Sequence, residues 1–316
     1  MAVHPESEAV TAMLRAEKLT KRYGDRTILD RVDFEITRGE RVALLGSNGA
    51  GKTTLFRCLL GLVGFEGRLV VDGFHAGPSG QEVRAKVAYV PQVPPVFDLT
   101  LSGFLELFAG LRRISLTDVE ERLDELALSY TETRDKPLRA LSGGMLQKAY
   151  LALALAARAP VILLDEPTAS LDPASRRELL RHLTAVSRET TLLLASHRLE
   201  EIEPLADRIL VLAAGRIAFD GSLPALWSAT GAEGGLWVKA AGNAAAAAAI
   251  LREHPAVRDV RTNGRGMYVT VPEADHLDVL LHLRQRAIAI RDFRRLAPAL
   301  EDVMGRLARD HREPGP

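Results

Sequence analysis

Arg41-Val42-Ala43-Leu44-Leu45 runs without a break into Gly46-Ser47-Asn48-Gly49-Ala50-Gly51-Lys52-Thr53-Thr54, and a largely apolar stretch over residues 55–62 follows. The first five residues read as a short buried strand and the last stretch as a helix, so the glycine-rich turn lies between a strand and a helix. Glycine, four residues, then Gly-Lys-Thr is the pattern of a loop that cradles phosphate. The glycines let backbone N–H groups converge on phosphate oxygens, and the helix N-terminus adds its positive end. Lys52 is placed to reach β- and γ-phosphates, and the Thr53 hydroxyl to ligate Mg²⁺. A plain glycine-rich turn is the alternative, and it would not call for this strand and this helix on either side.

On the N-terminal side, residues 14–23 and 28–36 read as antiparallel strands around the polar turn Gly24-Asp25-Arg26. Residues 161–164 and 191–195 are further apolar strands, separated by helical patterns. Such alternation predicts a largely parallel sheet with helices packed on it. After the breaker run Pro91-Gln92-Val93-Pro94-Pro95, residues 99–159 carry helical periodicity, which predicts a helical lobe over about 98–158. Strands return at 208–212 and 216–219, joined by Ala214-Gly215, before a Gly-rich linker at 231–235. The expected organisation is a loose extension over 1–13, a first domain over 14–230, and a second over 235–310. The second reads strand, helix, two strands around Asn263-Gly264, helix, strand and closing helix, the order of a small α+β ferredoxin-like sandwich. Its alanine run at 244–249 is a strong helix former.

Val161-Ile162-Leu163-Leu164-Asp165-Glu166 delivers two carboxylates at the end of a strand, where open α/β sheets gather their ligands. Asp165 is expected to hold Mg²⁺ through water, and Glu166, facing elsewhere, to orient and deprotonate an attacking water. Two acids ending a strand are often only a solvated turn. The phosphate-cradling loop gives this pair its role.

Leu141-Ser142-Gly143-Gly144-Met145 then leads into a further apolar helix. With this motif the chain, over about residues 14–225, resembles the nucleotide-binding subunits of ATP-binding-cassette transporters. The resemblance implies a P-loop NTPase core of that type, a mixed sheet plus a helical lobe, that binds ATP and Mg²⁺. It implies that Ser142, Gly143, Gly144 and Met145 bind the γ-phosphate of ATP held by an opposite subunit, although Ser142 also suits a helix N-cap. Met145 stands where the family commonly has glutamine. Gln92 matches the glutamine that touches Mg²⁺ and the attacking water beside the transmembrane partner. His197 in Leu193-Leu194-Ala195-Ser196-His197 matches the histidine that contacts the γ-phosphate. Asp172, in Ala169-Ser170-Leu171-Asp172, matches the loop that crosses the dimer interface, and it suits an N-cap before Pro173 equally well. Tyr23 matches the aromatic that stacks on adenine. Because both halves of the composite site are present, a homodimer is expected.

Composition narrows the setting. Lys+Arg and Asp+Glu both number 41, so there is no excess positive charge of the kind nucleic-acid backbones favour, and nucleic acid is not an expected partner. Cys58 is the lone cysteine, which excludes an internal disulfide and reads as a small core residue. The N-terminus carries acidic residues and no apolar h-region, and no apolar run reaches the roughly 18–20 residues of a spanning helix. The expectation is a cytoplasmic chain, peripheral on the inner face of the membrane, driving a separate permease that docks near Gln92 and residues 93–97. Pro298-Ala299-Leu300-Glu301-Asp302-Val303-Met304 resembles the ending of exporter-type members and equally suits an amphipathic closing helix. The competing reading is a soluble cassette ATPase acting on ribosomes or DNA. Members of that kind resemble tandem cassettes or carry a long coiled coil, and this chain has neither.

Overall fold

A computed structural model describes residues 12–78, 80–230, 234–262 and 266–296, together with Val303 and Leu307. Residues 1–11 of the extension, 231–233 of the linker, the Asn263-Gly264 turn, and residues 298–302 and 304 of the C-terminal ending lie outside the described residues. The chain forms two compact units, Met1–Leu223 and Pro224–Pro316.

The first unit opens with two long antiparallel strands, β1 (Ala12–Tyr23) and β2 (Arg26–Thr37). β3 (Arg41–Leu45) runs into α1 (Lys52–Leu59) across the glycine-rich turn. Then come β4 (Glu66–Val71), β5 (Phe74–His75), α2 (Gln81–Lys86) and β6 (Val87–Val90). These four have no counterpart in the sequence reading. β4 is half exposed and contains Gly67, while β6 has only four residues before Pro91, too few for a period to register. The first sheet has the order β2-β1-β4-β5.

Helices α3 (Leu101–Arg112), α4 (Leu116–Glu125), α5 (Tyr130–Thr133) and α6 (Gly143–Ala156) form the lobe. β7 (Val161–Asp165), α7 (Pro173–Ala185), β8 (Thr191–Ala195), α8 (Leu199–Ile202), β9 (Arg208–Ala213) and β10 (Arg216–Gly221) complete the unit. The second sheet has the order β10-β9-β3-β8-β7-β6, parallel except for the edge strand β10.

Every residue of β3, β7 and β8 is buried, as expected of parallel strands covered on both faces. The two-residue period of a strand divides these residues between two cores. Val161, Leu163, Leu193 and Ala195 join the core that α1 and the first sheet share. Ile162, Leu164, Leu192 and Leu194 join the core of the helical lobe. By the same alternation Asp165 falls on the α1 side of the sheet. The strand period therefore decides which helix the first carboxylate meets.

The second unit contains α9 (Leu223–Thr230), most of it, then β11 (Gly235–Ala240), α10 (Ala244–Arg252), β12 (Asp259–Thr262), β13 (Met267–Thr270), α11 (His276–Gln285) and β14 (Ile290–Leu296). Its antiparallel sheet has the order β12-β13-β11-β14, which places the first and third strands of the unit side by side at the centre, as in a split β-α-β arrangement. Asn243 caps α10 through its side chain, and Ala247 and Ala248 are buried against Leu236, Val238 and Val269. Among the described residues no helix is long and apolar enough to cross a membrane.

Candidate active site

The site grows from the junction of β3 and α1. Gly51 has φ of +110°, a conformation that L side chains avoid, and a Cβ there would lie 2.9 Å from Leu29 Cδ2. A Cβ on Gly46 would lie 2.8 Å from the Leu212 carbonyl oxygen. The loop is thus packed closely against Leu29 and Leu212 at these two glycines. Helix α1 has no side-chain N-cap and no acidic residue in its first turn, whereas Thr100, Ser142, Asp172 and Asn243 cap α3, α6, α7 and α10. An uncapped helix start with a lysine at its head fits an anion, and a phosphate in particular.

Lys52 is buried and donates from Nζ to the carbonyl oxygens of Gly46 (2.7 Å) and Ser47 (3.3 Å). Burial lowers its pKa, against the opposing pull of Glu166 and then Asp165. The Thr53 hydroxyl donates to Asp165 Oδ2 at 2.7 Å. Burial is also the main influence on Asp165, raising its pKa; the bonds it accepts from Thr53 and Tyr89 act the other way. A hydroxyl and a carboxylate this close, at the start of a phosphate-binding helix, are a hard oxygen donor pair of the kind Mg²⁺ uses.

Glu166 follows Asp165 with φ of +46°, an uncommon backbone state for a residue other than glycine, held by its N–H donating to the Ala195 carbonyl at 2.9 Å. The left-handed step turns its side chain away from Thr53. Gln92 Nε2 donates to Glu166 Oε2 at 3.3 Å, and His197 Nδ1 lies 3.1 Å from the same oxygen. Lys52 Nζ lies 3.7 Å from Oε1. Gln92, Lys52, Glu166 and His197 are therefore one cluster, although the chain brings them from four separate segments. A cleft of about 270 Å³ opens above it, lined by Asn48, Gly49, Gly51, Thr53, Thr54 and Arg26 among others.

The remaining sequence-derived residues lie elsewhere. Ser142 caps α6 by accepting from Met145 N–H at 3.2 Å, and it is exposed together with Gly143. A Cβ on Gly144 would lie 3.3 Å from the Ser170 carbonyl, so the Ser-Gly-Gly patch packs on the loop that leads to Asp172. Asp172 caps α7, accepting from Ala174 and Ser175 N–H at 2.9 and 3.1 Å. Its bonds from Ser175 hold its carboxyl down at about 2. Tyr23 is 45% exposed at the end of β1, with the Lys21 ammonium 4.6 Å from its ring centroid, and it does not line the cleft. Arg26 and Ile28 stand at the cleft instead. Neither was visible in the sequence, and nor was Tyr89, which reaches Asp165 from β6.

A wider hollow of about 730 Å³ lies beside Pro160 and Thr190, at the amino ends of β7 and β8. Ligands in such sheets gather at the carboxyl ends, where Asp165 and the glycine-rich turn are, so the smaller cleft is the chemical one.

The family model described as ABC transporter matches residues 29–169. A daunorubicin resistance ATP-binding protein, DrrA3, of Streptomyces coeruleorubidus is 34% identical over 303 residues, covering 92% of this chain and 94% of that protein. The chain belongs to the ATP-binding subunits of ABC transporters. A Nod factor export ATP-binding protein of Ralstonia nicotianae is 37% identical over 213 residues, covering 65% of this chain and 66% of that one. Among solved structures, one described as the ATP binding subunit of an ABC transporter superposes with a TM-score of 0.63 at 30% identity, covering 69% of this chain and 93% of that chain. This ABC subunit binds and hydrolyses ATP in the service of transport, and the reading of it as a ribosome- or DNA-directed ATPase gives way. ABC ATP-binding subunits pair with transmembrane components and dimerise.

Proposed function

We propose that two copies of this chain close on two ATP molecules, each held by the glycine-rich loop of one copy and the Ser142-Gly143-Gly144-Met145 patch of the other. The observation that supports the reading is the separation of the glycine-rich cleft and the serine-glycine patch on one chain. The cleft contains Lys52, Glu166 and the start of α1, while the patch with Ser142 lies outside it, exposed at the start of α6. A patch of this kind is completed by another molecule's phosphate. Asp172 sits beside it and faces the same partner; Tyr23 serves the adenine ring.

Thr53, Asp165 and Gln92 are the residues that would hold Mg²⁺, which when bound withdraws charge from the phosphoryl group being transferred. Glu166 orients a water and takes its proton, with Gln92 and His197 fixing the carboxylate oxygen that does so. His197 also contacts the γ-phosphate. Lys52, in the loop, neutralises the β- and γ-phosphate oxygens. Closure on ATP and release after hydrolysis drive a permease seated at Gln92 and the apolar residues after it, where Val93 is 79% and Val96 54% exposed. The subunit then works on the inner face of the membrane, in the direction of export. The cassette comprises residues 14–230, and the unit over 235–310 contributes dimer contact or regulation.

Ser142→Asp tests the composite site. Aspartate keeps the N-cap, so α6 and the fold persist, while a negative charge replaces a hydroxyl where a partner's phosphate must come. The expected result is unchanged nucleotide affinity in dilute protein and loss of the ATP-dependent dimer in sedimentation. A dimer that forms as in the parent counts against the proposal.

A further inference from the structure

Behind the catalytic cluster lies a carboxylate that the chemistry above does not use. Glu201, on α8, is 1% exposed, and both of its oxygens are engaged. The Thr168 hydroxyl donates to Oε1 and the Ser196 hydroxyl to Oε2, the latter at 2.6 Å. Arg176 and Arg198 approach Oε1 through Nε at 3.8 and 3.6 Å, and the Arg198 N–H donates to the Ser196 hydroxyl at 3.1 Å. Thr168 and Ser196 are themselves 1% exposed.

The partners matter more than the burial. Thr168 lies two residues beyond Glu166, and Ser196 immediately precedes His197. One buried carboxylate thus joins the loop that presents the water-activating residue to the loop that presents its histidine. Arg176 extends the link: its Nη2 donates to the Leu171 carbonyl at 3.4 Å, next to Asp172. The Ser170 carbonyl of the same loop lies under Gly144. Glu201 therefore stands between the Glu166 and His197 pair on one side and the Ser142 patch on the other.

We propose that Glu201 is a positioning residue for hydrolysis, which fixes the separation of the two loops so that His197 and Gln92 hold Glu166 in register, and which transmits movement of residues 168–172 to His197. A contact of 3.1 Å between His197 and Glu166 tolerates little loop displacement, and misplacement by about 1 Å costs on the order of 10²-fold in rate. A carboxylate whose only work was to hold the fold together would affect thermal stability and nucleotide binding along with turnover. A positioning carboxylate lowers turnover while nucleotide affinity holds, and breaking its buried bonds lowers the thermal midpoint in either case.

This inference rests on the roles given above to Glu166 and His197, which the Glu166→Gln variant tests separately. The experiment uses the full chain and compares Thr168→Val, Thr168→Ser and Glu201→Gln for kcat, KM for ATP, affinity for a fluorescent ATP analogue and thermal midpoint. Thr168→Val keeps shape and removes the donor; Thr168→Ser restores it. The expected result is a kcat lower by about 10- to 100-fold in Thr168→Val and Glu201→Gln, with affinity within about twofold of the parent, and recovery of most turnover in Thr168→Ser. The double variant Glu201→Gln with Thr168→Val is expected to be no slower than the slower single one, because both break one link. Parental turnover in folded Thr168→Val, kcat and affinity falling together, or Thr168→Ser as slow as Thr168→Val overturns the proposal. Should Glu201→Gln fail to fold, the Thr168 pair decides the question.

Discussion

Glu166→Gln is expected to slow ATP turnover by about 10²- to 10⁴-fold, the range a positioned general base contributes, while leaving MgATP affinity close to that of the parent. The two side chains have the same shape. An amide oxygen at the Oε2 position still accepts from Gln92 and stays beside His197, so the loops that meet there keep their places. At this left-handed position the N–H donates to the Ala195 carbonyl, a bond the change of side chain does not touch. What disappears is the proton acceptor. With hydrolysis blocked and binding intact, ATP-bound dimers should accumulate, which size-exclusion chromatography with and without MgATP will record. Turnover within a few-fold of the parent would move the general base to another residue.

Lys52→Ala is expected to weaken MgATP by about 10- to 100-fold, the equivalent of one or two charge-assisted hydrogen bonds, and to abolish measurable turnover. The lysine is buried and points into its own loop, and Asp165 and Glu166 are the carboxylates that most favour its charged form. Its removal subtracts the phosphate contact and also leaves the two carboxylates facing each other across an uncompensated cleft. Lys52→Arg should not rescue, because the planar guanidinium is too large for the space in which Nζ meets the Gly46 and Ser47 carbonyls. Titration with a fluorescent nucleotide, set against a phosphate-release assay, separates the two effects.

The central machinery was legible because its chemistry is local. Gly46 to Thr53 specify a turn, a helix start and a cation within a single stretch, and the apolar run that ends in Asp165 and Glu166 specifies where the acids emerge. Ser142 and Asp172 were each readable in two ways, and both cap helices; capping and a role toward a partner's phosphate use the same exposed position. What the sequence withheld is long-range. Thr168, Ser196 and Glu201 meet because β7 and β8 pair in parallel from Val161↔Thr191 to Asp165↔Ala195, a register that no local pattern encodes. Tyr89 reaches Asp165 from β6, a strand too short to announce itself, and Arg26 and Ile28 reach the cleft only through the hairpin that pairs β2 with β1. Tyr23 came from resemblance alone; its exposed ring stands beside Lys21 at the end of β1, and no local pattern marks it.

Mixing two defective subunits tests the shared site. Lys52→Ala and Ser142→Asp subunits, each inactive alone, are combined in equal amounts and assayed for ATP hydrolysis. If each ATP lies between one copy's loop and the other's serine patch, a mixed dimer restores one complete site, and random pairing returns about a quarter of parental turnover. A mixture no more active than its two components would contradict a site shared between two copies.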